Sequence, residues 1–140
     1  MNAECVLDTN VLVYAVSNLA DDRVKRDKAL DLIADGPFGV SGQILQEFYV
    51  NVTRKIRKKL PADEALAWVT QFARQPCVAI DAAIVMRAAE ISERFKISYW
   101  DGAIIASAER LGAGTLYSED LGDGQMYGSV RAVDPFGSST

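Results

Sequence analysis

Hydrophobic residues along the chain alternate between short continuous runs and longer stretches in which they recur at helical spacing. The continuous runs are typical of buried strands, and the spaced residues are typical of helices with one buried face. The predicted strands comprise residues 4–8, 38–40, 77–80, 114–117 and 130–133. The predicted helices begin near Thr9, Ser41, Pro61, Asp81 and Ser98, with a further helix over about residues 22–35. This alternation predicts an α/β fold, in which a central parallel sheet is covered by helices on both faces.

Length and composition favour one ordered domain. The chain has 140 residues, of which 49% are hydrophobic, and it contains no strong low-complexity tract. We expect a single domain over residues 1–136 and a disordered tail over residues 137–140. The first apolar run is interrupted by Asp8 and Asn10, and no basic segment with a cleavage site precedes it. We therefore expect no membrane span and a cytoplasmic location.

The cysteine and histidine content narrows the chemistry that the chain can perform. Cys5 and Cys77 both lie in predicted buried strands, which favours reduced thiols over a disulfide. The chain contains no histidine, which removes the usual general base and the commonest zinc ligand. Oxygen ligands remain, and these are what Mg²⁺ and Mn²⁺ prefer.

Four acidic residues stand either at the end of a predicted strand or in a predicted helix: Asp8, Glu47, Asp101 and Asp120. Asp8 and Asp120 follow predicted strands, and Asp101 lies near the start of the helix that precedes the second of them. The carboxyl ends of parallel strands meet at one edge of a sheet, where ligands bind. Carboxylates held close together repel one another, so the arrangement favours a bound divalent cation.

Each acidic residue also has a purely structural explanation. Asp8 can cap the helix that begins at Thr9, and Asp101 has the spacing of a capping box with Ser98. Asp120 can hold a turn, and Glu47 can be a solvated helix residue. Two further acids are weaker candidates, namely Asp81, interpreted as a helix cap, and Asp123, a candidate for contact with metal through water.

The distribution of positive charge leaves a nucleic-acid partner open. The net charge of −4 argues against such a partner, because neutralising phosphates supplies most of the non-specific affinity for nucleic acids. One segment, however, is strongly basic and contains Arg54, Lys55, Arg57, Lys58 and Lys59. These cations either complement a helix C-terminus or form a phosphate-binding patch.

Several segments together resemble the PIN-domain ribonucleases, specifically the VapC-like toxins of bacterial VapBC toxin-antitoxin systems, over essentially the whole chain. The segments are residues 6–12 (VLDTNVL), 46–49 (QEFY), 99–108 (YWDGAIIASA), 117–121 (YSEDL) with Gly124-Gln125, and 133–136 (VDPF). The last segment departs from the family pattern, in which asparagine is commoner than Asp134.

The resemblance implies a three-layer α/β/α sandwich and metal-dependent endonucleolytic hydrolysis of RNA. Asp8, Glu47, Asp101 and Asp120 match the acidic quartet of the family, and Thr9, Asn10 and Ser118 match supporting polar positions. One or two Mg²⁺ or Mn²⁺ ions are the implied cofactors. Hydrolysis by metal-activated water would leave a 5′-phosphate and a 3′-hydroxyl and would need no covalent enzyme intermediate.

The resemblance also implies two protein partners. One is a cognate VapB-like antitoxin, whose C-terminal segment packs over the helices and delivers a basic side chain into the acidic pocket. Phe48, Tyr49 and Trp68 either contribute to that groove or belong to the core. The other partner is a second copy of the chain, in a homodimer formed through the helices of residues 40–75.

Two other classes of protein compete with this hypothesis. A non-catalytic binding module would keep the PIN fold but act through protein contacts. A phosphatase or phosphotransfer domain would also place Asp at the end of its first strand. Dehalogenase-like phosphatases, however, need a second Asp where this chain has Asn10, and the paired acids and late lysine of receiver domains are not visible.

Overall fold

The computed structural model describes residues 2–137, which form six short strands and six α-helices. The strands are β1 (Cys5–Leu7), β2 (Val40–Ser41), β3 (Cys77–Val78), β4 (Thr115–Tyr117), β5 (Met126–Tyr127) and β6 (Val130–Val133). The helices are α1 (Thr9–Ala15), α2 (Arg23–Ala34), α3 (Gly42–Val50), α4 (Ala62–Phe72), α5 (Ala82–Phe95) and α6 (Tyr99–Arg110). A 3₁₀ turn at Ala20–Asp22 precedes α2, and a π-helical turn at Asn51–Lys55 follows α3.

The sheet is mostly parallel, as the sequence predicts. Its strand order is β1-β4-β6-β5, in which β1 pairs with β4 and β4 with β6 in parallel. Strands β2 and β3 form a second parallel pair, and a bridge between Val6 and Gly39 connects that pair to β1. Only β5 is antiparallel in the described part of the chain. The predicted α/β fold is therefore confirmed.

The register of the sheet determines which residues meet at its carboxyl edge. Leu7 lies opposite Tyr117, and Tyr117 lies opposite Val133. The Asp8 amide donates to the Tyr117 carbonyl at 3.1 Å, which extends the pairing by one residue beyond β1. Asp8 and Ser118 therefore directly follow neighbouring strands and lie side by side at the carboxyl edge of the sheet.

The core is continuous around the sheet, and α6 is its most buried helix. Every residue from Gly102 to Ala108 is buried. Small side chains allow this close packing, since a Cβ on Gly102 would lie 2.6 Å from the Ala88 carbonyl oxygen of α5. The start of α6, which carries Asp101, is thereby held against the rest of the fold.

Most of the predicted boundaries lie within a few residues of the observed ones, but two features were not predicted. Strand β5 is only two residues long, so it gives no alternating pattern. The predicted third helix extends to Val52 along the apolar stripe, whereas α3 ends at Val50 and the chain continues in a π-helical turn. A regular helical period cannot reveal such a local widening.

Four further expectations concern the cysteines, a membrane span, the C-terminal tail and the single domain. Cys5 and Cys77 are both thiols, as predicted, and burial raises the pKa of each. Within residues 2–137 no helix has both the length and the apolar character needed to cross a lipid bilayer. Of the predicted tail over residues 137–140, residues 138–140 lie outside the described residues, and the extent of a single domain over residues 1–136 stays a prediction.

Candidate functional site

The four acidic residues singled out in the sequence line one cavity at the carboxyl edge of the sheet, with a volume of about 130 Å³. The cavity is lined by Asp8, Thr9, Asn10, Glu47, Asn51, Trp100, Asp101, Ile104 and Asp120. These residues come from the end of β1, from helices α1, α3 and α6, from the π-helical turn, and from the loop after β4. The fold thus brings together carboxylates that are separated by up to 112 positions in the chain.

Asp8 is the most buried of the four and is held by two hydrogen bonds. Its Oδ1 accepts from the Thr9 amide at 2.6 Å, which caps α1, and its Oδ2 accepts from the Ser118 hydroxyl at 2.7 Å. Burial raises the pKa of Asp8 to about 6, although both hydrogen bonds oppose that shift. The negative charges of Asp120 and Asp101 raise the pKa further. The capping role and a place in the cavity therefore coexist in one side chain.

Glu47 faces the cavity from α3 and is fixed by Thr9. The Thr9 hydroxyl donates to Glu47 Oε1 at 3.0 Å, so the first residue of α1 connects two members of the quartet. One turn further on, the Asn51 side-chain amide donates to the Glu47 carbonyl at 2.8 Å. Glu47 is half-buried, so it is not the fully solvated helix residue of the structural alternative.

Asp101 and Asp120 complete the acidic lining. Asp101 lies in the first turn of α6, where its amide donates to the Ser98 hydroxyl at 3.0 Å, and burial raises its pKa. Asp120 receives a hydrogen bond from the Asn10 side chain at 3.4 Å, and its own amide donates to Ser118 Oγ at 3.2 Å. Partial burial raises the pKa of Asp120, with a further contribution from the charge of Asp101.

The donor set suits a hard divalent cation, although its members are not gathered around a single point. Among residues 2–137, no three His, Cys, Asp or Glu side chains lie close enough together to hold a metal ion as they stand. In the same residues, none of the four carboxylates forms an ion pair with Lys or Arg. Four unpaired carboxylates around a small cavity match the oxygen donors that Mg²⁺ and Mn²⁺ prefer.

Two acidic residues considered in the sequence take other positions. Asp123 does not line the acidic cavity, and its Oδ1 accepts from the Asp134 amide at 2.9 Å. Asp81 caps α5, as the sequence indicates, by accepting from the Ile84 amide at 2.9 Å. Asp81 also pairs with Arg110 at 2.8 Å.

Asn51, Trp100 and Ile104 line the cavity but are not among the predicted site residues. The spacing of Asn51, one turn after Glu47, was a signal for its inclusion. Trp100 precedes Asp101 in the chain, but adjacency at the start of a helix does not reveal which side chains face a cavity.

The basic segment lies beside the acidic cavity. Arg57 and Lys58 contribute to a neighbouring cavity of about 320 Å³, which shares Asn10 and Asn51 with the acidic one. Lys55 lines a smaller cavity together with Glu47 and Asn51.

The other two members of the basic segment, Arg54 and Lys59, are exposed and line neither of these cavities. Arg54 and Lys55 lie in the last turn of the π-helical segment, where they complement the helix dipole. Lys55 both lines a cavity and lies at this helix C-terminus, and phosphate binding by the basic segment stays a prediction.

The family model of the PIN domain matches residues 5–122 of the chain. This range includes all four carboxylates that line the cavity. The chain belongs to the PIN-domain family. PIN domains are typically metal-dependent nucleases that bind Mg²⁺ or Mn²⁺. Among curated proteins, a search finds none that matches significantly.

Solved toxin structures share the fold of this PIN domain. The Mycobacterium tuberculosis toxin VapC20, which cleaves the sarcin-ricin loop, has a TM-score of 0.63 and 17% identity, covering 83% of this chain and 89% of its own. FitAB bound to a DNA fragment has a TM-score of 0.68 and 18% identity, covering 97% of this chain and 98% of its own. VapBC2 from Rickettsia felis, bound to a fragment of its promoter DNA, has a TM-score of 0.56 and 19% identity, covering 83% of this chain and 87% of its own.

Proposed function

We propose that this PIN domain is the toxin of a type II toxin-antitoxin system and a metal-dependent endoribonuclease. The observation that carries the proposal is the cavity lined by Asp8, Glu47, Asp101 and Asp120, none of which is neutralised by an ion pair within the described residues. The absence of histidine from the chain supports oxygen-ligated metal chemistry. The fold shared with VapC20 supports RNA as the substrate.

The four carboxylates would hold one or two Mg²⁺ or Mn²⁺ ions. A bound ion supplies two effects, a lower pKa of water and neutralisation of the charge that develops on the phosphate. The protein's own polar residues position the carboxylates. Ser118 and the Thr9 amide orient Asp8, the Thr9 hydroxyl orients Glu47, and Asn10 contacts Asp120.

Cleavage of cellular RNA tests the proposal directly. Purified protein would be incubated with total RNA and Mg²⁺ or Mn²⁺, and the new 5′ ends would be mapped by sequencing. We expect discrete 5′-phosphate ends that disappear with EDTA and with Asp8→Asn. Folded wild-type protein, free of partner, that cuts no RNA with either metal would refute the proposal.

The first competing hypothesis, a non-catalytic module, is favoured by one observation. No three carboxylates in residues 2–137 are already gathered closely enough to hold a metal ion. The same RNA experiment separates the two functions, because a binding module would leave the RNA intact with every metal.

A homodimer is a further part of the proposal, and its surface can be named. An almost wholly apolar groove of about 440 Å³ lies between α3 and α4, within the predicted region of residues 40–75. It is lined by Leu45, Gln46, Tyr49, Val50, Leu66 and Val69. Of the three aromatic residues considered for the antitoxin groove, Tyr49 lines this apolar groove, whereas Phe48 is buried and Trp68 stacks on Phe72.

Light scattering at micromolar concentration tests the dimer. Leu66 is 58% exposed in the groove, so Leu66→Lys should convert a dimer into a monomer. Val24 is 82% exposed on α2, outside the groove, and Val24→Lys is the matched control that should stay dimeric. A monomeric wild type would contradict the proposed dimer.

A VapB-like antitoxin is the other proposed partner, and it would deliver a basic side chain to the acidic cavity. The four unpaired carboxylates are complementary to such a group. Co-expression with the product of a small adjacent reading frame should yield a stable complex in which RNA cleavage is suppressed. Cleavage at the full rate in such a complex would exclude inhibition by that product.

A further inference from the structure

Trp100 is the only exposed aromatic side chain among residues 2–137, and it lines the acidic cavity. Its exposed fraction is 63%. A single exposed apolar residue is ordinary on a protein surface. This one, however, lies on the wall of the cavity that contains the carboxylates, directly beside Asp101.

The position of Trp100 is fixed by its surroundings. Trp100 lies in the first turn of α6, which Ser98 caps, and the Trp100 carbonyl accepts a hydrogen bond at 3.1 Å from the Gln43 side chain, which is buried. The Tyr99 and Trp100 rings meet edge to face, with centroids 5.0 Å apart. The backbone of Trp100 is thus anchored, and the indole contacts Tyr99 while most of the residue is exposed to solvent.

Charged groups beside the cavity form, together with Trp100, an arrangement that suits a nucleic-acid chain. Asn10 and Asn51 belong to both the acidic cavity and the 320 Å³ cavity beside it, whose lining includes Arg57 and Lys58. An aromatic face, carboxylates and two cations therefore occur along connected cavities. Aromatic faces that accept bases, combined with cations that follow the backbone, are how proteins hold single-stranded nucleic acids.

We propose that Trp100 is the stacking platform for a nucleobase next to the scissile phosphate. This inference rests on the proposed ribonuclease function. A base can lie on the indole only when it has left its neighbours in a stack, and unpaired loops and strands offer such bases. Loss of one base–aromatic contact weakens binding by roughly 5- to 150-fold.

Tryptophan fluorescence provides a test that does not depend on cleavage. Trp68 and Trp100 are the only tryptophans in the chain, and Trp68 stacks on Phe72 outside the cavity lining. In a Trp68→Phe, Asp8→Asn protein with Mg²⁺, Trp100 is the single reporter and cleavage is not expected. A short single-stranded RNA should quench its emission, whereas the same RNA annealed to its complement should not.

Cleavage by position-100 variants tests the role of the ring. Trp100→Leu keeps an apolar side chain without a π-face and should lower kcat/KM by roughly 5- to 150-fold. Trp100→Tyr restores a ring and should recover most of the activity. Met86 has the same exposed fraction, 63%, and does not line the cavity, so Met86→Ala is the matched control. Light scattering should give one oligomeric state for all of these proteins.

Each outcome distinguishes the inference from the function on which it rests. Wild-type cleavage that Trp100→Leu leaves unchanged, or equal quenching by single-stranded and duplex RNA, would overturn the stacking platform and leave the ribonuclease intact. A change of oligomeric state in Trp100→Leu would assign the indole to a protein interface instead. A wild type that cuts no RNA would remove the proposed function and this inference together.

Discussion

At the scale of single residues, Asp8 caps helix α1 and lines the acidic cavity with the same carboxylate. Both of its oxygens accept hydrogen bonds, yet its pKa is raised to about 6 because burial outweighs those bonds. A buried acid that prefers to be protonated weakens the fold once it ionises. Ionised Asp8 therefore destabilises the metal-free protein, and a bound cation would offset this cost.

The pH dependence of stability should show this directly. With a folded pKa of about 6 against the ordinary 3.8, folded Asp8 holds its proton at a pH where the unfolded chain has lost it. The free energy of unfolding should therefore fall as pH rises from about 4 to 6, by on the order of 3 kcal/mol from this group. Urea unfolding in EDTA would measure it, and Asp8→Asn should flatten the pH profile. Identical profiles for the two proteins would contradict the assignment.

Thr9 is the second residue whose role can be isolated. Its hydroxyl donates to Glu47 Oε1, while its amide donates to Asp8 Oδ1. Thr9→Val removes only the hydroxyl and should lower kcat/KM about 10- to 100-fold, because a hydrogen bond to a charged group contributes roughly 1.5–3 kcal/mol. Thr9→Ser retains the donor and should retain most of the activity. Equal rates for the two variants would show that Glu47 needs no such support.

At the scale of elements, the site depends on how closely α6 approaches α5. Gly102 follows Asp101 directly and lies against the backbone of α5, which leaves no room for a side chain. The strands around the site contain three or four residues each, so they give little stability by themselves. Packing of the helices against them therefore determines where Asp101 lies relative to Asp8.

Substitution of Gly102 tests this packing. A Cβ there would meet the Ala88 carbonyl oxygen at 2.6 Å, so Gly102→Ala should destabilise the fold by roughly 1–3 kcal/mol through overpacking. Gly42 in α3 is the matched control, since a Cβ there would have its nearest neighbour at 3.9 Å. Gly42→Ala should stabilise by about 0.5–1 kcal/mol. Denaturant unfolding would measure both, and a harmless Gly102→Ala would show that the two helices can separate freely.

Particular elements also show what the sequence could and could not predict. Three of the acids were found because each stands at the end of a strand or near the start of a helix that the pattern marks. Glu47 was found on the polar edge beside an apolar helical stripe. Their placement around one cavity followed from parallel pairing, but their role in metal binding stays a prediction. Strand β5 and the π-helical turn at Asn51–Lys55 were missed, because both are local departures with no periodic signal. The exposure of Trp100 is a tertiary property that its neighbours in the chain do not reveal.

At the scale of the whole molecule, charge is separated in a way that the net value of −4 conceals. Four carboxylates surround one cavity, and cations at Arg57 and Lys58 line the cavity beside it. The phosphate backbone of a nucleic acid is attracted by the cations, but it is repelled by the carboxylates until a bound cation neutralises them. A divalent cation would therefore affect both the stability of the fold and the affinity for the proposed RNA substrate.

Thermal unfolding with and without metal tests this coupling. Burial raises the pKa values of Asp8, Asp101 and Asp120, so protons compete with metal for these side chains as pH falls. Mn²⁺ at about 100 times its dissociation constant should stabilise the fold by roughly 2.7 kcal/mol at pH 7.5 and by much less at about pH 5. Asp8→Asn should reduce the shift in Tm at pH 7.5, whereas Met86→Ala should not. An equal shift at both pH values, or in Asp8→Asn, would place the bound metal away from these carboxylates.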